Sequence, residues 1–275
     1  MSQIVKIGGV PEHFNYPWHV AIEGNWFKEK GIELQWTDYP NGTGAMCADL
    51  KAGKLDLALV LTEGIVADIS KGNPASLIMP YVISPLLWGI HVPYTSDIRS
   101  EEDIQGRKIA ISRFGSGSHL MAYVDAMKRG WDTSGLEFVL AENLEGARKA
   151  FREGRAEVFF WEKFTTHPLV EQKEFRLAGV RPTPWPCFHL AGRNEFIESN
   201  KEIITDITRI IIKAVKAVKN DSDKSILEIA RRYQLNVADI RKWFAVTQWS
   251  ESDQVDQKMI GEVSGILKTL GLIGG

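Results

Sequence analysis

The chain has 275 residues, 44% hydrophobic and 25% charged, enough for one large α/β domain or two lobes with separate cores. Its 33 basic and 35 acidic side chains leave a net charge of −2, so no overall field favours nucleic acid or an anionic membrane. The expected partner is a small molecule.

Met-Ser-Gln-Ile-Val-Lys-Ile enters a strand directly, without the basic, apolar and small-residue zones of a secretory leader. A cytoplasmic location is expected, or a periplasmic one if a leader preceded this sequence. The alternation then predicts a strand over 4–10, a loop over 11–17, a helix over 18–30 stopping at Gly31, and a strand over 32–39. A helix opened by Asn41-Gly42-Thr43-Gly44 leads to a third strand over 55–61. The segment Leu50-Lys51-Ala52-Gly53-Lys54-Leu55-Asp56 recurs from position 151 as Phe151-Arg152-Glu153-Gly154-Arg155-Ala156-Glu157. In both copies it reads as helix end, glycine stop, acidic residue and buried strand.

The second copy predicts strands over 108–112, 136–141 and 156–161, with a helix over 118–129 that stops at Gly130. Strands alternating with helices imply mainly parallel sheets with right-handed crossovers, hence a two-lobed α/β fold. The expected lobes are residues 1–94 with 193–275, and residues 95–192, with crossings near 92–96 and 191–194. Residues 194–275 read as a helical tail packing on the first lobe, with breaks at 220–223, near 236 and at 250–252. The most apolar stretch, 203–218, carries Asp206, Arg209, Lys213 and Lys216, so it is an amphipathic helix and no membrane insertion is expected. Residues 225–244 resemble a helix-turn-helix in outline, but their basic residues are few, and two packed tail helices are the better reading.

Ligands of open α/β sheets sit beyond the carboxyl ends of the strands, which for two lobes points to the cleft between them. On those loops Gly42 and Thr43 open one helix, and Ser116 and Ser118, after Arg113, open another. Backbone N–H groups and the helix dipole there suit an anion or an oxygen-rich group; the same residues also simply turn and cap a chain. His13, Phe14, Trp18, Trp88, Phe114, Trp161 and Trp185 offer flat surfaces for a planar ligand, or core packing. Glu63 and Glu162 fall just past the third strand of each copy. They can hold amino or heteroaromatic N–H donors, or pair with a cation such as Arg113. The six histidines lack metal-ligand spacing and Cys47 and Cys187 stand far apart, so no metal and no cofactor is expected. No hydrolase, kinase or zinc-peptidase motif is present.

Pro11-Glu12-His13-Phe14, Trp18-His19-Val20-Ala21 and Trp26-Phe27-Lys28-Glu29-Lys30-Gly31-Ile32 resemble the type II periplasmic-binding-protein superfamily. Asp103-Ile104-Gln105-Gly106-Arg107-Lys108 leading to Gly115-Ser116-Gly117-Ser118 is similar to the same superfamily, nearest its nitrate, sulfonate, taurine and thiamine-pyrimidine group. The resemblance implies lobes that close on a ligand through His13, Phe14, Thr43, Glu63, Ser116, Ser118 and Trp161. It also implies an ABC-transporter permease as partner for an exported member, whereas this chain looks like leaderless cytoplasmic relatives. One such relative, the yeast thiamine-pyrimidine synthase, carries a cysteine-rich iron motif that this sequence does not have. The expected function is non-catalytic binding of a small polar, anionic or heteroaromatic molecule, sulfonate-like or thiamine-pyrimidine-like. The alternative is a cytoplasmic enzyme of cofactor biosynthesis on the same scaffold, with a cleft carboxylate or His13 as general base.

Overall fold

Leu57, Ala58, Leu59 and Val60 are all buried, as a strand covered on both faces requires, and they sit in the middle of the first sheet. In this computed structural model, residues 2–274 are described. They begin with β1 (Gln3–Gly9), α1 (Tyr16–Glu23), β2 (Ile32–Asp38), α2 (Thr43–Lys51), β3 (Leu57–Leu61), α3 (Thr62–Ser70) and β4 (Ala75–Val82). There follow β5 (Leu87–Pro93), β6 (Ile109–Ile111), α4 (Gly117–Lys128), β7 (Phe138–Leu140), α5 (Leu144–Arg152), β8 (Val158–Glu162), α6 (His167–Glu171) and β9 (Phe175–Pro182). The chain ends with β10 (Phe188–Arg193), α7 (Asn194–Ser199), α8 (Lys201–Asn220), α9 (Ser222–Tyr233), α10 (Val237–Val246) and α11 (Gln257–Thr269).

Two units result, residues 1–84 with 185–275 and residues 85–184. The first holds a sheet of order β2-β1-β3-β10-β4 and the second a sheet of order β7-β6-β8-β5-β9. In the first, β1 runs parallel to β2 and β3, while β10 runs antiparallel to β3 and β4. In the second, β6 runs parallel to β7 and β8, and β5 runs antiparallel to β8 and β9. Each sheet is therefore parallel apart from one reversed strand inserted at the fourth position. That strand also explains why the chain changes unit at 84/85 and 184/185, ahead of the expected 94/95 and 192/193: β5 belongs wholly to the second sheet and β10 to the first.

The internal repeat has a structural counterpart. Gly53 and Gly154 end α2 and α5 with φ of 70° and 66°, a left-handed turn that costs a side-chain-bearing residue about 1–2 kcal/mol. The acids that follow pin the neighbouring strand. Asp56 accepts the Lys6 N–H at 2.9 Å and donates its own N–H to the Lys6 carbonyl at 2.9 Å. Glu157 does the same with Lys108, at 3.2 and 2.8 Å.

The helix expected over 18–30 is interrupted. It begins at Tyr16 and ends at Glu23, Asn25 turns left-handed at φ 59°, and only a short 3-10 turn, Lys28–Lys30, precedes Gly31. Trp26 in the break receives the Lys213 ammonium of α8 over its ring at 4.2 Å, which ties the turn to the tail. The tail packs on the first unit as expected. Ile207, Ile210, Ile211, Ala214 and Val218 form the buried face of α8, which lies on α1, and α11 lies on α3. Residues 225–244 are the packed pair α9 and α10. The segment after α10 augments β4: Ile83 N–H donates to the Gln248 carbonyl at 2.8 Å, and Ser250 N–H to the Tyr81 carbonyl at 2.8 Å. No helix among the described residues is long and apolar enough to cross a membrane.

Candidate functional site

In the first unit β10 enters the sheet where β3 leaves it, with Phe188 paired to Leu61. That antiparallel register brings Trp185, Pro186 and Cys187 to the start of α3. Thr62 N–H donates to the Cys187 carbonyl at 3.0 Å. The Thr62 hydroxyl lies 2.6 Å from the Pro186 carbonyl, to which it donates, and 2.8 Å from His189 Nδ1, from which it accepts. This fixes the His189 proton on Nδ1 and leaves Nε2 bare, buried and without a partner. Burial holds the ring neutral, its pKa pushed down to about 4.

Glu63 follows directly, only 2% exposed. Its Oε2 accepts the Trp185 indole N–H at 2.7 Å, while Oε1 is buried with no partner. Burial pushes its pKa up to about 7, against the smaller opposing pulls of its own backbone N–H and of Trp185. Gly42 stands at the N-cap of α2, and Thr43, its first residue, is buried and accepts the Leu61 N–H on Oγ1 at 2.9 Å. The starts of α2 and α3 are thus tied to one strand end.

His13 and Phe14 follow β1 but lie under the tail. The His13 ring stacks on Phe14 at 4.9 Å and meets Trp243 edge-on at 4.2 Å, and desolvation drops its pKa to about 3. A histidine of that pKa is a poor general base near neutrality. The Phe14 carbonyl accepts the Tyr81 hydroxyl at 2.7 Å and the Trp249 indole N–H at 2.9 Å. Trp18, expected at the start of the helix as a flat surface for a ligand, is within α1 and fully buried against Phe27, so its ring forms core.

In the second unit Glu162 ends β8, and its Oε2 accepts the Thr165 N–H at 2.6 Å. Burial raises its pKa to about 7 as well. Trp88 pairs across from Glu162 in β5 and shares its face of the sheet; the Trp88 indole N–H is buried without an acceptor. Trp161 points to the opposite face, stacked on Phe159 at 5.1 Å, so it is separated from Glu162. The Thr166 hydroxyl donates to the Glu162 carbonyl at 2.9 Å and sits 2.7 Å from His91 Nε2, a buried Thr–His pair like that of the first unit.

The β6–α4 loop is occupied with itself. Ser116 caps α4, accepting the His119 N–H at 3.4 Å, and Ser118 Oγ accepts the Ser112 N–H at 3.0 Å and lies 3.0 Å from Ser116 Oγ. Arg113 is exposed and turns to the Phe114 carbonyl at 3.3 Å, so within its unit it does not form the ion pair considered with Glu162. Thr62, Thr166, His91 and His189 were not among the expected site residues. Their roles depend on the antiparallel seating of β5 and β10, for which no local motif exists.

Residues 88–180 match the model of a family described as Ca3427-like PBP. The CA3427 gene product of Candida albicans, described as defining a family with the generic periplasmic-binding-protein fold, superposes with a TM-score of 0.91. The identity is 24% over 99% of this chain and 92% of that one. The chain has the type II periplasmic-binding-protein fold. Two further structures share this fold. The alkanesulfonate-binding protein SsuA of Xanthomonas axonopodis pv. citri, bound to MOPS, superposes at TM-score 0.84 and 16% identity, covering 100% of this chain and 96% of that one. The periplasmic aliphatic sulphonate-binding protein SsuA of Escherichia coli superposes at 0.75 and 16% identity, covering 100% and 95%. No curated protein matches the sequence.

Proposed function

We propose that this protein is a small-molecule-binding protein whose ligand is received by the carboxyl ends of its strands. The observation that carries this reading is the placement of Glu63 and Glu162. Each is a nearly fully buried carboxyl at the carboxyl end of the third strand of its copy of the repeat, Glu162 as the last residue of β8 and Glu63 two residues past β3, beside an indole and a buried Thr–His pair. An apolar side chain would be more stable in either place, and carboxyls with pKa values moved to about 7 cluster at functional sites. The fold, shared with alkanesulfonate-binding proteins, supports the same reading. The protein would act in the cytoplasm, as expected above; an exported form would instead serve an ABC-transporter permease.

The test is a thermal-shift panel of sulfonates, pyrimidines, amines and amino acids, followed by mass spectrometry of the recovered compound. A ligand at a hundredfold its Kd adds about 2.7 kcal/mol to the folded state and raises Tm visibly. Recovery of the compound unchanged supports a binder. Conversion of the compound would transfer the reading to an enzyme, and a flat panel would count against both.

A further inference from the structure

Glu63 and Glu162 are not equivalent. Glu162 has its Oε2 taken by its own loop, through the Thr165 N–H at 2.6 Å, and neither of its oxygens is buried without a partner. Glu63 has one oxygen committed to Trp185 and the other buried and bare. We infer that Glu63 Oε1 is the acceptor for an N–H group of the ligand, which makes that ligand a nitrogen compound, an amine, amidine or amino-substituted heteroaromatic ring, and not an oxyanion. This rests on the binding function proposed above.

Three observations carry it. A buried acceptor left without a donor is destabilising, more so when charged, and the described residues offer none to Oε1. Among the described residues, the one side-chain partner of the carboxyl is the neutral Trp185 indole, and no salt bridge is made to it. And the other expected ligand residues of this unit, His13, Phe14, Trp18, Gly42 and Thr43, supply no positive charge, since His13 is held neutral by burial. A sulfonate brought here would meet an acceptor with no counter-charge. A ligand N–H would fill the one open valence, and a cationic one would restore the carboxylate to its ionised form.

The experiment is calorimetric titration at pH 7.5 with benzamidine, 4-aminopyrimidine and benzenesulfonate, on the wild-type chain, Glu63→Gln and Glu162→Gln. The nitrogen probes should bind the wild type more tightly than benzenesulfonate. Glu63→Gln, which keeps the acceptor for Trp185 but turns an N–H toward the ligand, should weaken them at least about tenfold, the loss of one charge-assisted hydrogen bond. Glu162→Gln should leave them within about threefold. If Glu63→Gln does not fold, infrared difference spectra of the wild type at pH 6 answer the same question, because added benzamidine should remove a protonated-carboxyl band. Tight benzenesulfonate binding that ignores Glu63→Gln would overturn the inference and leave the binding function standing. Silence from every probe of both classes would remove both.

Discussion

Replacing Glu63 by glutamine should make the unliganded protein more stable above neutrality. The carboxyl has its pKa lifted from 4.5 to about 7 by burial, so at pH 8 the folded chain carries an ionised group at a cost of about 3 kcal/mol. Glutamine is nearly the same shape, keeps an oxygen for the Trp185 N–H and removes the charge. Its amide NH2 then occupies the buried place of Oε1, and desolvating that donor returns about 1–2 kcal/mol of the gain. The net is a stabilisation of about 1–2 kcal/mol at pH 8, or about 3–6 °C in Tm for a protein of this size. At pH 5 the native carboxyl is already neutral, the gain disappears, and the variant should melt at or below the wild-type temperature. Scanning calorimetry of both proteins at the two pH values, without ligand, reads this directly. Equal changes at pH 5 and pH 8, or a fall at pH 8, would show that Glu63 is not held as a costly buried acid.

The whole-protein pH profile follows from opposing groups. His13 and His91, with pKa pushed to about 3, and His189, to about 4, must shed protons on folding, so their contribution grows as pH rises from that range to 6.5. Glu63 and Glu162 hold protons up to about 7 in the folded state, so their contribution is full below 4.5 and is lost between 4.5 and 7. Chemical denaturation should therefore show stability climbing steeply from acid, flattening, and peaking at about pH 6; a steady rise through pH 8 would contradict it. Gly146→Ala should cost more than about 2 kcal/mol, because a Cβ there would stand 1.7 Å from the Ala141 carbonyl oxygen, and a urea melt will show whether the backbone can yield. Asp125→Ala should cost about 2–4 kcal/mol in the same assay, since the buried Arg181 and the half-buried Arg129, bonded to its two oxygens at 2.5 and 2.9 Å, would be left to share the Glu101 carboxylate.

The parts of the fold legible in the sequence are those whose cause is local. Gly53 and Gly154 announce two helix ends because the left-handed turn requires them, and Asp56 and Glu157 mark strands because each seizes the backbone of a neighbour. The amphipathic face of α8 is written at helical spacing and is buried as written. The strands β5 and β10 are apolar runs whose reversed insertion depends on partners far along the chain. That is why Glu63 could be picked out by position while its bond to Trp185 could not; Trp161 faces away from Glu162 because β8 runs on through Glu162, and neighbours in a strand alternate faces. The break at Asn25 was hidden because the residues after it still read as helix formers.

The seating of β10 sets an order of events during synthesis. Residues 85–184 contain all five strands of their own sheet, so that sheet can close as soon as its last strand emerges. The first sheet cannot, because β3 and β4 flank a gap one strand wide that stays open until residue 193 leaves the ribosome. At ordinary translation speed the intervening hundred or so residues take about 5–20 s. Through that interval two apolar strands present unpaired edges, the geometry that recruits chaperones or promotes mispairing. The first-made half of this protein is thus the last to be finished, and its yield in cells should depend more on elongation rate than that of the segment inserted into it.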